Sequence, residues 1–220
     1  MVSDEDDEDG AVEEVEAELD VEVRHREAAL LAAAPPPEIH DLAEACVRFV
    51  ERAVGVKLDY TPETLPLLDH YLAGARAVLL EKRSEEPLEV VAQAAGAYLG
   101  EVIRRRFPSF WVLTPADPSH HKLRFMRLFL TVLPMDFVLS ALTFDPAGPS
   151  QGFGGVELDP EDREHVMARL RDLPEVTEEE FLSPSTRFEV VEIVVDAVTA
   201  RQLHAKEPPL SLEAEDYLDG

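Results

Sequence analysis

Basic side chains and cysteine are what this sequence has least of. Against 46 acidic residues stand 20 lysines and arginines, a formal charge of -26. Nucleic-acid affinity comes mostly from neutralising phosphates with cations, so this imbalance argues against DNA or RNA as a partner. It favours encounter with a basic protein surface and keeps the chain soluble. Cys46 is the single cysteine, which excludes an intramolecular disulfide and any metal site built from clustered thiolates. A reducing, cytoplasmic location fits. The opening MVSDEDDEDG is not a basic n-region, and nowhere do about 18 apolar residues run without a charge, so neither a cleaved secretion signal nor a membrane partner is expected.

What is present suffices for a folded body. Of 220 residues 45% are apolar, enough to fill one sizeable core, so wholesale disorder is excluded. Arginine outnumbers lysine 16 to 4, a bias expected of a high-GC bacterial genome. The charge is unevenly spread, since residues 1–30 contain 13 acids and two bases. The run Asp4, Glu5, Asp6, Asp7, Glu8, Asp9 is expected to stay solvated, because gathering its charges costs more than burial returns. From Val15 to Val23 apolar and acidic residues alternate as in a strand, yet Val12, Val15, Leu19 and Val23 also fit a helical stripe. That segment is left open, to order only against a partner or the core. Pro35, Pro36 and Pro37 stiffen the junction. The expected organisation is a disordered acidic tail over 1–34, one globular domain over 35–206, and a loose acidic end over 207–220.

Within the domain, Ile39, Leu42, Cys46, Phe49, Val50 and Ala53 recur at helical spacing, with Gly55 placed for a C-cap. Thr61-Pro62, Asp159-Pro160 and Ser183-Pro184 each put a capping side chain before a proline and announce three more helices. Thr186 with Glu189 suggests a capping box. Pro87 begins a further helix to Phe107, with Arg104 to Arg106 exposed in its last turn. Phe110 to Leu113 and Arg124 to Val132 read as an antiparallel strand pair, and Met135 to Leu142 as a short buried helix. Helices packed around a small antiparallel sheet give a mostly helical α+β fold. Gly148 to Gly155 is expected to be a flexible loop.

No constellation specifies chemistry. His120 and His121 stand near Asp117 in a loop, but adjacent residues rarely ligate one ion well and no third ligand stands at a helpful spacing, so a solvated connection is expected. Glu101 can pair with Arg105 four residues on as an ordinary surface contact. Asp69 and Glu101 can face each other as acid and base only if the fold buries them together. GFGG at 152 to 155 lacks the lysine and the strand–helix context of a phosphate loop. Cys46 lies on an apolar stripe without the positive setting that activates a thiol. Trp111, Phe110, Phe125 and Phe129 read as core before they read as a partner site. No cofactor, metal ligand or catalytic residue is assigned, and the chain is expected not to be an enzyme.

LDYTPETLPLLDHYL at 58–72, with AGAYLGEVIRRRF at 95–107 and Trp111, resembles uncharacterised bacterial domain families in which an LDYS-like segment opens one helix and a YLGE-like segment lies in the next. The likeness implies packing roles for Leu58 and Tyr60, a cap at Thr61 and close helix approach at Gly100. It transfers no catalytic assignment. Some similar small domains occur near toxin systems, which leaves an immunity-type inhibitor of a basic toxin or nuclease as one alternative. An enzyme joining Asp69, Glu101 and His120 or His121 is the other. The leading expectation is a non-enzymatic interaction module that binds a basic protein partner through Asp4 to Asp9 and Trp111.

Overall fold

Residues 21–82, 85–115, 117–144, 154–174 and 176–217 are described by a computed structural model. Their eight helices surround a four-stranded antiparallel sheet, the mostly helical α+β arrangement expected. The first helix, α1, covers 21–32. Pro36, in polyproline geometry, leads into α2 (Pro37–Val54), whose Ile39, Ala43, Cys46, Val47 and Val50 are buried. Spacings of three and four put these side chains on one stripe. Gly55, at φ +80°, ends the helix by donating its N–H to the Glu51 carbonyl at 2.9 Å, a left-handed cap that glycine adopts without steric cost.

The next two helices, α3 (Leu65–Lys82) and α4 (Glu85–Arg106), follow a 3-10 turn at Pro62–Thr64. Thr61 does not cap that turn through its side chain. Its hydroxyl is occupied: Asp59 accepts from the Thr61 N–H and from both the Thr61 and Thr64 hydroxyls, while the Thr64 N–H donates to the Thr61 carbonyl at 3.2 Å. Helix α4 runs through the middle of the core, with Ala94, Ala97, Tyr98, Leu99 and Ile103 all buried. Gly96 lets the start of α5 (Pro134–Thr143) approach so closely that a Cβ there would lie 2.6 Å from Met135 Cα.

The sheet runs β1 (Ser109–Val112), β2 (Lys122–Phe125), β3 (Leu130–Val132), β4 (Val156–Leu158) in spatial order. The register sets Trp111 beside Leu123, Leu123 beside Val132, and Val132 beside Val156. The strand expected over Arg124 to Val132 is thus two strands with a bend over 126–129 between them, where the Leu130 N–H turns back to the Leu128 carbonyl at 2.7 Å instead of joining a ladder. The remaining helices are α6 (Pro160–Arg171), α7 (Glu178–Leu182) and α8 (Pro184–Ala205). Asp159 and Ser183 cap α6 and α8 as expected. The capping box lies instead at Thr177 and Glu180, opening α7. Arg187 is 1% exposed, its guanidinium 4.2 Å from the Phe181 ring centroid and 5.3 Å from that of Phe137.

The expected tails differ from the packing wherever they are described. In α1, Val23 is buried and Arg26 donates to the Ser211 and Leu212 carbonyls at 3.1 Å. Glu27 pairs with Arg127 at 2.6 Å, and Arg104 donates to the Leu30 carbonyl at 2.8 Å. At the other end, the Leu212 N–H donates to the Met126 carbonyl at 2.8 Å. The Tyr217 hydroxyl donates to the Phe125 carbonyl at 2.6 Å. Residues 21–32 and 207–217 thus each make contacts with the body on the far side of the expected boundaries at 34 and 206. Fixed arginine donors meeting backbone carbonyls hold both segments on the body, despite their acids. Asp4 to Asp9 lie outside the described residues, as does most of the Gly148 to Gly155 loop.

Candidate functional site

The densest polar constellation is built by the two segments 58–72 and 95–107. Tyr60 and Tyr98 meet with ring centroids 4.9 Å apart. The Tyr98 hydroxyl accepts the Tyr60 N–H at 3.0 Å and lies 2.8 Å from Thr64 Oγ1. Tyr60 holds φ +65°, a conformation that a bulky residue keeps only where its surroundings over-determine it. Those surroundings are visible: its hydroxyl donates to Glu44 at 2.7 Å, and the Arg105 guanidinium sits 4.0 Å from its ring centroid. Burial, followed by the Glu44 carboxylate, pushes the Tyr60 phenol well above its ordinary range. Burial raises Tyr98 to about 12. Both stay neutral hydrogen-bonding groups at neutral pH.

Arg105 links this pair to Glu101, which is not the surface acid expected. Glu101 is 1% exposed. Its Oε1 accepts from Arg104 Nε at 2.8 Å and from the Trp111 indole N–H at 2.8 Å, and its Oε2 accepts from Arg104 Nη2 at 2.9 Å. Arg105 stands 4.0 Å from Oε2. Arg104, expected to be exposed, is 4% exposed. A buried carboxylate is tolerable only with this degree of pairing and hydrogen bonding. Trp111 is half-buried, its ring lying over Gly100, where a Cβ would come within 2.3 Å of the indole. Glycine at 100 is thus required for the indole to reach Glu101. The arrangement locks α4 to β1 and, through Arg104 and Leu30, to α1.

Asp69 and the histidines fall elsewhere. Asp69 accepts from the Ser185 N–H at 3.2 Å and in a short contact from the Ser185 hydroxyl, tying α3 to the start of α8. Burial raises its pKa, against the lowering effect of Ser185. His121 is fully buried, not solvated: its Nδ1 accepts the Thr114 N–H at 3.0 Å and its Nε2 lies 3.3 Å from Glu38. His120 is half-exposed and turns to Asp117 at 2.7 Å. Asp69, Glu101 and the two histidines each have separate partners, so the acid, base and imidazole cluster weighed from the sequence is not assembled. Among the described residues no group of three or more His, Cys, Asp or Glu is arranged to hold a metal ion. Burial drives the Cys46 thiol far above its ordinary range, leaving it a small apolar side chain in α2.

The signal for the Glu101 centre was present in the sequence as a lone acid amid AYLG and VI, followed three residues later by arginine. Its tryptophan partner lies ten residues on, across the turn into β1, where helical spacing cannot reach. No helix among the described residues is long and apolar enough to cross a membrane. No protein-family model, curated protein or solved structure matches this chain.

Proposed function

We propose that the protein is a non-enzymatic, acidic interaction module that binds a basic protein partner. The observation that carries this reading is the internal use of the cations. Arg26, Arg76, Arg106, Lys122, Arg127 and Arg201 are each paired with a carboxylate of the same chain. Arg104 and Arg187 are buried. With 46 acids against 20 bases, eight of them used in this way, the exposed cations that remain, Arg48, Arg52 and Arg163 among them, are outnumbered and the net surface charge is negative. A field of that sign speeds encounter with a cationic surface and repels phosphate backbones. The buried Glu101 centre is read as the frame that holds this surface in shape.

The test is a pull-down with the full chain at physiological ionic strength, followed by identification of the retained proteins. The expected partners are basic, and their retention falls as salt is raised toward 1 M, where the Debye length shrinks to about 3 Å. Deleting residues 1–20, which contain 11 of the acids, separates the contribution of that segment from the body's. Retention of acidic proteins alone, indifferent to salt, refutes the reading.

A further inference from the structure

Four large apolar side chains stand exposed around α7. Leu173 is 42% exposed, Val176 52%, Phe181 37% and Phe144 36%. Scattered singly such residues need no explanation, but a concentration rimmed by charge marks an interaction surface. The first three fall within nine residues of chain, and that stretch contains acids but no lysine or arginine. Asp172, Glu178, Glu179 and Glu180 rim it, all exposed, with the exposed Arg171 at the α6 end as the single cation flanking the stretch. Phe144 joins the same surface through Arg76, whose guanidinium lies 3.8 Å from the Phe144 ring centroid and 3.1 Å from Glu179. Beside α7 opens a groove of about 400 Å³, lined by Asp69, Ala73, Arg76, Ala141, Glu179 and Glu180. His70 also lines it, and its single arginine, Arg76, is already engaged by Glu179 and Phe144.

We infer that this face is the docking site for a basic, amphipathic helix of a partner protein. The proposal rests on the reading of the chain as an acidic interaction module, and gives that module its contact surface. Apolar side chains of the incoming helix would cover Leu173, Val176 and Phe181, while its lysines or arginines would meet the rim and the groove carboxylates. Helix-in-groove recognition has this division of labour, apolar anchors for affinity and flanking charge for orientation. The charge complementarity selects the occupant, because a second copy of this chain or an acidic helix would bring like charge against the rim.

The experiment titrates the full chain with a labelled helical peptide of leucine and lysine arranged on opposite faces. Two control peptides accompany it, one of the same composition rearranged to abolish the two faces and one with glutamate for lysine. The amphipathic basic peptide should bind at least about tenfold more tightly than either control, and Leu173→Lys or Val176→Lys should weaken it by about tenfold. Both positions are exposed, and unchanged Trp111 fluorescence verifies that each variant is folded. If the basic peptide binds but neither substitution weakens it, the surface is wrong while the acidic-module reading stands. If no basic peptide binds the wild type, both fall. A concentration-dependent dimer that Val176→Lys abolishes also overturns the proposal, since the occupant is then a second copy.

Discussion

Replacing Glu101 by glutamine removes one charge from the interior and changes almost no volume. The amide oxygen can still accept one hydrogen bond, from Arg104 or from the Trp111 indole, but the other oxygen's place is taken by a donor that faces Arg104 Nη2. Arg104, 4% exposed, is then a buried cation without its counter-ion. Breaking a buried pair from one side costs about 3–5 kcal/mol, and because one acceptor survives the expected loss is at the lower end, about 3 kcal/mol. For a chain of this size that lowers the melting temperature by about 6–12 °C. Trp111 is the only tryptophan and donates to Glu101 directly, so urea unfolding followed by its fluorescence reports both stability and the local change. Glu101→Gln combined with Arg104→Met should be more stable than Glu101→Gln alone, since no unpaired charge is left inside. A Glu101→Gln protein within about 1 kcal/mol of wild type refutes the reasoning, as does a double variant whose loss equals the sum of the two single losses.

At Gly96, alanine would ordinarily favour a helix by about 1 kcal/mol, yet its Cβ meets Met135 Cα at 2.6 Å and Met135 N at 2.8 Å. Backbone cannot rotate aside, so Gly96→Ala should lose about 1–3 kcal/mol by overpacking, and a melting temperature equal to or above wild type contradicts this. Asp69 has its pKa raised on folding, chiefly by burial, so the native state holds its proton to higher pH than the unfolded chain. The stability this contributes is fully present below the ordinary aspartate pKa and is lost as pH rises through the folded value. In Asp69→Asn that decline should flatten, measured as urea stability across mildly acidic to neutral pH; an unchanged slope shows that Asp69 is not its source.

Where local chemistry decides structure, the sequence was readable. Gly55 closes α2, and Asp159-Pro160 and Ser183-Pro184 open α6 and α8, because caps and proline act within a turn of the chain. The buried helix at α5 followed from an apolar run punctuated by Pro134. Strand β4 escaped notice because three residues cannot establish an alternation, and its place is fixed by pairing with β3. Thr61 has the look of a cap in sequence, but its N–H and hydroxyl are both taken up by Asp59 two residues earlier, across the left-handed turn at Tyr60. The candidate centre was least legible of all. Glu101 and Arg104 stand at helical spacing that suits a surface pair as well as a buried one. Only the indole arriving from β1 over Gly100 distinguishes the two. The contacts of 21–32 and 207–217 are illegible for a related reason: their charge is local, whereas the partners that hold them lie as far as 185 residues away.

The clasp between Arg26 and the carbonyls of Ser211 and Leu212 also sets an order of events during synthesis. Its two halves are separated by 185 residues, and closing so long a loop is among the slower steps available to a chain. Before Ser211 and Leu212 are made, Arg26 has neither carbonyl to meet. Contacts of α1 with Arg104 and Arg127 can form first, and the Arg26 clasp can only close over them once residues 211 and 212 are in place.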